Sequence, residues 1–449
     1  MLIEQFQKAL LSIHIDLERS SSGSNRHDNK TYLVAYSGGL DSHVLLHLCT
    51  IEKLDIRAVY INHGLQEEAS QWQHHCRMVC DQLGVNFESI TVDAKPGSGQ
   101  SPEEAARNAR YKGLKSCLKK HEILLTGHHQ DDQAETLLLQ LMRGAGTAGL
   151  ASMPRFQDFG SGTHIRPMLD VSRQEIKRYA VQNELQWIED PSNKDTSFDR
   201  NFLRQEVIPL LQKRWLQVVS TIKKSADIQQ QNLELIQAMA EIDLAKIITS
   251  DQRVIALKRL DMLSPARQFN VLKFWINRAG LDKPTRNVLQ QIQRTVITAA
   301  EDASPLVTWE NTEVRRFKDE LYVMPSLQAH DNETILQWNS KQRLHIKSLD
   351  LSITAEHGVS KGLSSDYLDK TLMIKFRQGG EKIKPVGHQH TSSLKNLMQQ
   401  NEIPPWCRPR IPLLYIDDVL ACVCGYWVAD EFVSKEESGW LPVVESLNN

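Results

Sequence analysis

The chain has 449 residues, 41% of them hydrophobic and 24% charged, with 53 basic and 55 acidic side chains and a net charge of −2. That length exceeds one ordinary domain and calls for two or three. No apolar run approaches the roughly 20 residues that cross a bilayer, and the charge balance supplies no overall attraction to nucleic acid. Seven cysteines without a CxxC pair argue against a disulfide framework or zinc site and fit a reducing cytoplasm.

Residues 1–18 read as an amphipathic helix, with Glu4, Gln5 and Lys8 among its apolar positions, and not as a signal peptide. Arg19 to Lys30 is a polar, Ser-rich linker. From residue 31 to about 170, short apolar strands near 31–36, 56–62, 85–90, 122–126 and 164–167 alternate with helices. That alternation predicts an α/β domain, a doubly wound parallel sheet with ligands at the C-terminal strand ends. Residues 205–300 are helical in pattern and are punctuated by Pro209 and Pro284. Val307 to Met324 predicts a hairpin turning at Lys318-Asp319-Glu320, and polar Gln328 to Glu333 marks a boundary. From Leu344 the pattern becomes short and strand-rich. The expected organisation is a first domain over 1–217, a mainly helical domain over 218–330 and a small α+β domain over 331–449.

The most informative stretch runs Ser37-Gly38-Gly39-Leu40-Asp41-Ser42, between an apolar strand and a segment of helical spacing. Two glycines let a phosphate approach the backbone, and the helix start adds unpaired N–H groups and a positive dipole end. Ser37 and Ser42 can add hydroxyl donors, and Asp41 can hold a magnesium ion between phosphate oxygens. The loop is neither a P-loop nor a dinucleotide fingerprint, since Lys-Ser/Thr and a third glycine are both missing. Further on, Thr126-Gly127-His128-His129-Gln130-Asp131-Asp132 ends a strand and opens a helix on the same sheet edge. Asp132 and Glu135 share one face of that helix, and Asp131 is the best N-cap candidate. Between these stretches, Ser101 and Glu104 form a capping box with Pro102 at the first helical position. Arg107 and Arg110 share a face there; they are either a solvated surface or a clamp for a carboxylate or phosphate. Asp190-Pro191-Ser192-Asn193 leads into a helix carrying Arg200, Asn201 and Arg204. Near the C-terminus, Thr371 to Arg410 holds seven basic against two acidic side chains, with Trp406 among them. A basic patch with an aromatic suits RNA backbone contact and base stacking.

The first loop resembles the SGGxDS loop of the N-type ATP pyrophosphatases, which cleave ATP between the α and β phosphates and attach AMP to a substrate oxygen. Taken together, SGGLDS, INHGL, AARNARY, LTGHHQDDQAETLLLQLMRGAG, DPSN…RNFLR…IPLL and LKNLMQQNEIPPWCRPRIPLL occur in the order seen in tRNA(Ile)-lysidine synthetases. The resemblance covers nearly the whole chain; only the N-terminal helix and linker look extended. It implies a Rossmann-like PP-loop ATPase domain and an enzyme that uses ATP, Mg2+ and free L-lysine. The implied substrate is the isoleucine tRNA with a CAU anticodon, whose wobble cytidine becomes lysidine. Implied ATP contacts are Ser37, Gly38, Gly39, Leu40, Asp41 and Ser42, with Asp41 also the metal ligand. Asp132 and Glu135 are expected to hold the lysine amines and, with Asp41, to be catalytic. Arg107 or Arg110 is expected on the lysine carboxylate. Arg200, Asn201, Arg204, Lys395, Trp406 and Arg408 are expected at the tRNA. The resemblance also leaves room for a homodimer, and a tRNA 2-thiolation enzyme sharing the loop is the alternative.

Overall fold

The structure, a computed structural model, describes residues 2–20, 30–64, 69–97, 101–300, 303–435 and 438–446, so most of the expected linker lies outside it. The chain divides into two compact units, Met1–Gln237 and Ala238–Asn449. The first opens with α1 (Leu2–Ser20), where Leu2, Phe6, Leu10 and Ile13 recur at helical spacing and are buried. β1 (Thr31–Ala35), α2 (Leu40–Ile51), β2 (Asp55–Asn62), α3 (Ala69–Leu83), β3 (Asn86–Thr91), α4 (Pro102–Cys117), β4 (Ile123–Leu125) and α5 (Gln130–Met142) follow. After α6 (Thr147–Leu150) come β5 (Phe156–Phe159), β6 (Gly162–Ile165) and α7 (Arg173–Gln182).

The sheet order is β3-β2-β1-β4-β6-β5, with every pairing parallel except that of β5 with β6. The five predicted strands are present near their expected positions. β5 was not expected, because four residues with two polar ones in the middle carry no strand pattern. β1 and β4 lie at the centre, and Leu33, Val34, Leu124 and Leu125 have no exposed surface. Such continuous apolar runs are what a sheet covered on both faces requires. α1, α2 and α7 pack with Val34 and Leu125 on one face, whereas Leu114 of α4 and Leu118 just beyond it pack with Leu33 and Leu124 on the other. The chain goes from β1 to β2 to β3, then crosses to β4 on the other side of β1. The switch point therefore lies between the C-terminal ends of β1 and β4, where an open α/β sheet places its ligand. Beyond the sheet run α8 (Asp199–Phe202), a wide π-type turn over Leu203–Val207, α9 (Ile208–Arg214) and α10 (Val218–Ile247).

In the second unit, helices Pro265–Arg278 and Arg286–Gln291 pack on a four-stranded sheet through Leu272, Trp275, Ile276, Val314 and Val323. The expected hairpin is there as Thr312–Phe317 and Glu320–Pro325. Val254–Ala256, inside the stretch read as helical, is a strand paired with it. The remainder forms antiparallel sheets of five, three and two strands with one helix, Leu394–Gln400.

Phe6 has no exposed surface although it lies in the helix that looked like an extension. Phe6→Ala should destabilise the first unit by roughly 3–5 kcal/mol, read by urea unfolding of the full chain. A change below about 0.5 kcal/mol, the range of surface substitutions, would remove α1 from the core.

Candidate active site

The loop after β1 is held shut by its own residues. Gly38 has φ +79°, and a Cβ there would lie 2.6 Å from Ile188 Cδ1 and 2.9 Å from Cys76 Sγ. Its carbonyl accepts the Ile188 N–H at 2.9 Å. Ser42 Oγ accepts the Ser37 N–H at 3.2 Å and donates to the Gly39 carbonyl at 3.0 Å, and the two serine hydroxyls lie 3.0 Å apart. The hydroxyls expected to donate to phosphate are thus spent on the loop. What the loop leaves open is the start of α2, whose N-cap Gly39 supplies no side-chain cap. Free N–H groups and a positive dipole end there favour an oxyanion.

Asp41 projects from this first turn. Its Oδ1 is buried without a hydrogen-bond partner, and Oδ2 lies 3.5 Å from His129 Nε2. An unpartnered buried carboxylate oxygen costs free energy, and a hard divalent cation with oxygen preference fits it.

The turn after β4 reaches Asp41 because residue 127 is glycine. A Cβ there would lie 2.8 Å from the Asp41 carbonyl oxygen and 3.1 Å from Ser42 N. α5 then starts beside α2. Its N-cap is His129, not Asp131 as expected: the His129 N–H donates to Asp132 Oδ2 at 3.0 Å, and the Asp131 N–H donates to the ring Nδ1 at 3.2 Å. Asp131 is drawn off by the Arg173 N–H, which donates to it at 2.8 Å. Burial opposes charge on the His129 ring, but Asp132, Asp131 and Asp41 outweigh it and raise its pKa. With Nδ1 accepting the Asp131 N–H, the ring proton sits on Nε2, 3.5 Å from both Asp41 and Asp132.

Asp132 and Glu135 are buried and share a face of α5, as their spacing predicted. Their partners are Arg200 and Arg204, the residues expected at the tRNA. Arg200 donates Nε to Glu135 Oε2 at 2.7 Å and Nη2 to Asp132 Oδ1 at 3.0 Å. Arg204 donates Nε to Glu135 Oε1 at 2.6 Å, and Nη2 to Glu135 Oε2 at 2.9 Å and Asp132 Oδ1 at 3.1 Å. Burial would raise the Asp132 carboxyl, but His129, Arg200 and Arg204 hold it well below the usual range. Asn201 is likewise committed: its amide donates to the carbonyls of Ser192 and Asp195 at 3.0 and 2.8 Å, tying the Asp190-Pro191-Ser192-Asn193 turn to the helix.

Arg107 and Arg110 are not among the partners of these carboxylates. Arg107 lies over the Tyr111 ring at 5.0 Å, with no carboxylate in ion-pair distance among the described residues. Arg110 adds to burial in lowering the pKa of His63. The residues that spacing did not single out for these roles are Gly127, His128, His129, Thr126, His164 and Arg166.

In the second unit, Trp406 is packed by Phe317 at 6.2 Å, Tyr322 at 5.2 Å and Arg315 at 5.4 Å, so the expected free stacking ring is largely occupied. Arg408 donates Nε to the Ile403 carbonyl at 2.8 Å. Lys375 and Lys384 pair with Asp418 and Asp430 at 3.0 and 2.8 Å, which offsets part of the local positive charge. Lys382 and Lys395 are exposed and make no ion pair among the described residues.

An uncapped helix start after a glycine loop, beside a carboxylate with one oxygen unpartnered at the switch point, makes a phosphate site, and the PP-loop domain family, which uses ATP, matches residues 8–211. The TilS substrate binding domain matches 256–322 and the TilS substrate C-terminal domain 372–445. A tRNA(Ile)-lysidine synthase of Coxiella burnetii is 40% identical over 417 residues, 92% of each chain. One of Methylococcus capsulatus is 37% identical over 428 residues, 94% of this chain and 97% of that one. Among solved structures, a U34-tRNA thiolase from Methanococcus maripaludis aligns over 51% of this chain and 78% of its own. Its TM-score is 0.40 and its identity 16%, too distant to carry an argument. The chain belongs to the tRNA(Ile)-lysidine synthase family.

Removing one partner from a buried ionic network leaves the others uncompensated. Glu135→Gln should destabilise the first unit by roughly 3–5 kcal/mol, read by urea unfolding. Loss of activity with unchanged stability would instead make Glu135 a substrate contact alone.

Proposed function

We propose that this chain is the ATP-dependent ligase that converts the wobble cytidine of the CAU-anticodon isoleucine tRNA to lysidine. The observation that carries the reading is the meeting of two helix starts at the switch point, with Asp41 between them, in a chain matching that family along most of its length. In the first step the cytosine C2 oxygen attacks the α-phosphorus of ATP. The bond to the β-phosphate oxygen breaks and pyrophosphate leaves. In the second, the lysine ε-amine attacks C2, the C2–oxygen bond breaks, AMP departs and the amine loses a proton.

The N–H groups at the start of α2 are proposed to bind and orient the phosphates. Asp41 is the residue that would hold magnesium, which when bound neutralises phosphate charge. Asp132 and Glu135 are proposed to attract the lysine ammonium. Each carboxylate oxygen can accept two hydrogen bonds, and Asp132 Oδ2 shows a single donor, the His129 N–H. Glu135, with no exposed surface, acts chiefly by anchoring Arg200 and Arg204. Arg107, with no acidic partner among the described residues, is proposed for the lysine carboxylate. Lys382 and Lys395, with Arg408 near them in sequence, are proposed to meet the tRNA backbone. Seven cysteines without a disulfide suit a cytoplasmic enzyme, and among the described residues no helix is long and apolar enough to cross a membrane. Thiolation is disfavoured at the thiols nearest the loop. Burial, reinforced by neighbouring groups, pushes Cys76 and Cys80 up to about 12, which leaves both protonated and poorly nucleophilic.

Mass spectrometry of nucleosides from isoleucine tRNA, incubated with ATP and lysine and with each omitted in turn, tests the reading. Lysidine should form only in the complete mixture; unaltered cytidine there would overturn it. Asp41→Ala should abolish pyrophosphate release while leaving tRNA affinity within about twofold, because the phosphate contacts to RNA are made elsewhere. Reversing charge at Lys382 and Lys395 should lower the slope of log affinity for tRNA against log salt by roughly 0.7–0.9 for each lost contact. An unchanged slope would mark these lysines as a solvated face.

A further inference from the structure

The turn after β4 carries a second histidine whose hydrogen bonds run away from Asp41. His128 Nδ1 lies 2.7 Å from Thr126 Oγ1, and the same hydroxyl lies 2.8 Å from His164 Nε2. His164 Nδ1 in turn lies 3.1 Å from Arg166 Nη2. Thr126, His164 and Arg166 are 6%, 0% and 4% exposed, so water does not compete along the run.

A guanidinium has donors and no acceptor, and this fixes the direction of every bond. Arg166 donates to His164 Nδ1, so the proton of that neutral ring sits on Nε2 and is donated to Thr126 Oγ1. The hydroxyl then gives its single proton to His128 Nδ1. The proton of a neutral His128 is left on Nε2. Running the chain the other way would require two protons to face each other at His164. Burial, aided by Arg166 and Arg107, lowers His164 to about 3, so a charged ring does not break the order near neutral pH. Burial likewise lowers His128, with Arg166, Arg200 and His164 adding to it and Asp132 opposing. Arg166 meets no carboxylate in ion-pair distance among the described residues. Its other contacts are the Pro154 carbonyl at 2.8 Å and the Tyr111 side chain, neither of them a carboxylate, so its charge is left to polarise the run.

We infer that Arg166, His164 and Thr126 are positioning residues that hold His128 as a neutral imidazole protonated on Nε2, a fixed donor to a phosphoryl oxygen of the nucleotide. The inference rests on the proposed use of ATP at the start of α2. His128 follows Gly127, where an added Cβ would lie 2.8 Å from the Asp41 carbonyl oxygen and 3.1 Å from Ser42 N, so it belongs to the turn that abuts the helix start where an oxyanion is favoured. Negative charge shifts among phosphoryl oxygens as pyrophosphate leaves, and a donor already oriented stabilises it without reorganising. The same polarity excludes His128 as the base for the lysine amine, because its only lone pair is taken by Thr126.

The test combines ring-nitrogen NMR with kinetics on the full chain. In the 15N-histidine-labelled protein, His128 should show a protonated Nε2 and a bare Nδ1 that do not titrate across the neutral range. Thr126→Val or Arg166→Met should mix the two tautomers. In single-turnover assays with labelled ATP, His128→Ala should slow formation of AMP-linked tRNA by on the order of a hundredfold. His128→Gln, whose amide donor reaches as far as Nε2, should recover part of that loss with the wild-type pH profile. A wild-type His128 that is protonated on Nδ1 or titrates near neutrality would overturn the inference. So would a His128→Gln variant no better than His128→Ala, or a defect confined to the lysine step. If the wild type forms no AMP-linked RNA at all, the functional reading fails, and the NMR result still decides the tautomer.

Discussion

The close approach of Gly127 to the Asp41 backbone is the constraint on which the catalytic unit depends. Two parallel strands leave their C-terminal ends side by side, and each is followed by a helix whose start carries a positive dipole end. With any side chain at 127, a carbon would sit 2.8 Å from the Asp41 carbonyl oxygen, and the two turns could not stay together. Their contact sets the line from Asp41 through His129 Nε2 to Asp132. The sheet order makes that line possible, since only at the switch point are neighbouring strand ends free of a direct crossover.

Charge balance then extends the site outward. Asp132 and Glu135 would be costly to bury alone, and Arg200 and Arg204, 65 to 72 residues away in the chain, make them tolerable. Spacing four apart puts both guanidinia on one helix face. Asn201, between them, secures the preceding turn through two backbone carbonyls. The helix that looked like a separate basic surface is thus part of the same ionic network as Asp132 and Glu135. Any substrate cation reaching Asp132 enters an ionic network already arranged.

Much of this was legible in the sequence. The glycine loop, the strand alternation, the shared face of Asp132 and Glu135 and the ordered motifs pointed to the fold and the family. What stayed hidden was pairing across long separations. The basic residues at 200 and 204 showed a common face but not what that face meets. Asp131 outranks a histidine as a helix cap by general preference, yet Arg173 N draws it away and leaves the cap to His129. Trp406 read as a stacking ring because it lies among basic residues, but Phe317 and Tyr322 of the hairpin close on it. The positive charge of the C-terminal segment was counted without Asp418 and Asp430, which lie beyond its end and neutralise two of its lysines.

The most direct measurement is the rate of AMP transfer to isoleucine tRNA by a Gly127→Ala variant, beside Gly146→Ala, where an added methyl meets nothing within 4 Å. If the two turns form one site, Gly127→Ala should lose adenylation while its tRNA affinity and circular dichroism remain those of the wild type. Gly146→Ala should stay close to the wild-type rate. Adenylation by Gly127→Ala at the wild-type rate would contradict the dependence of the chemistry on that contact.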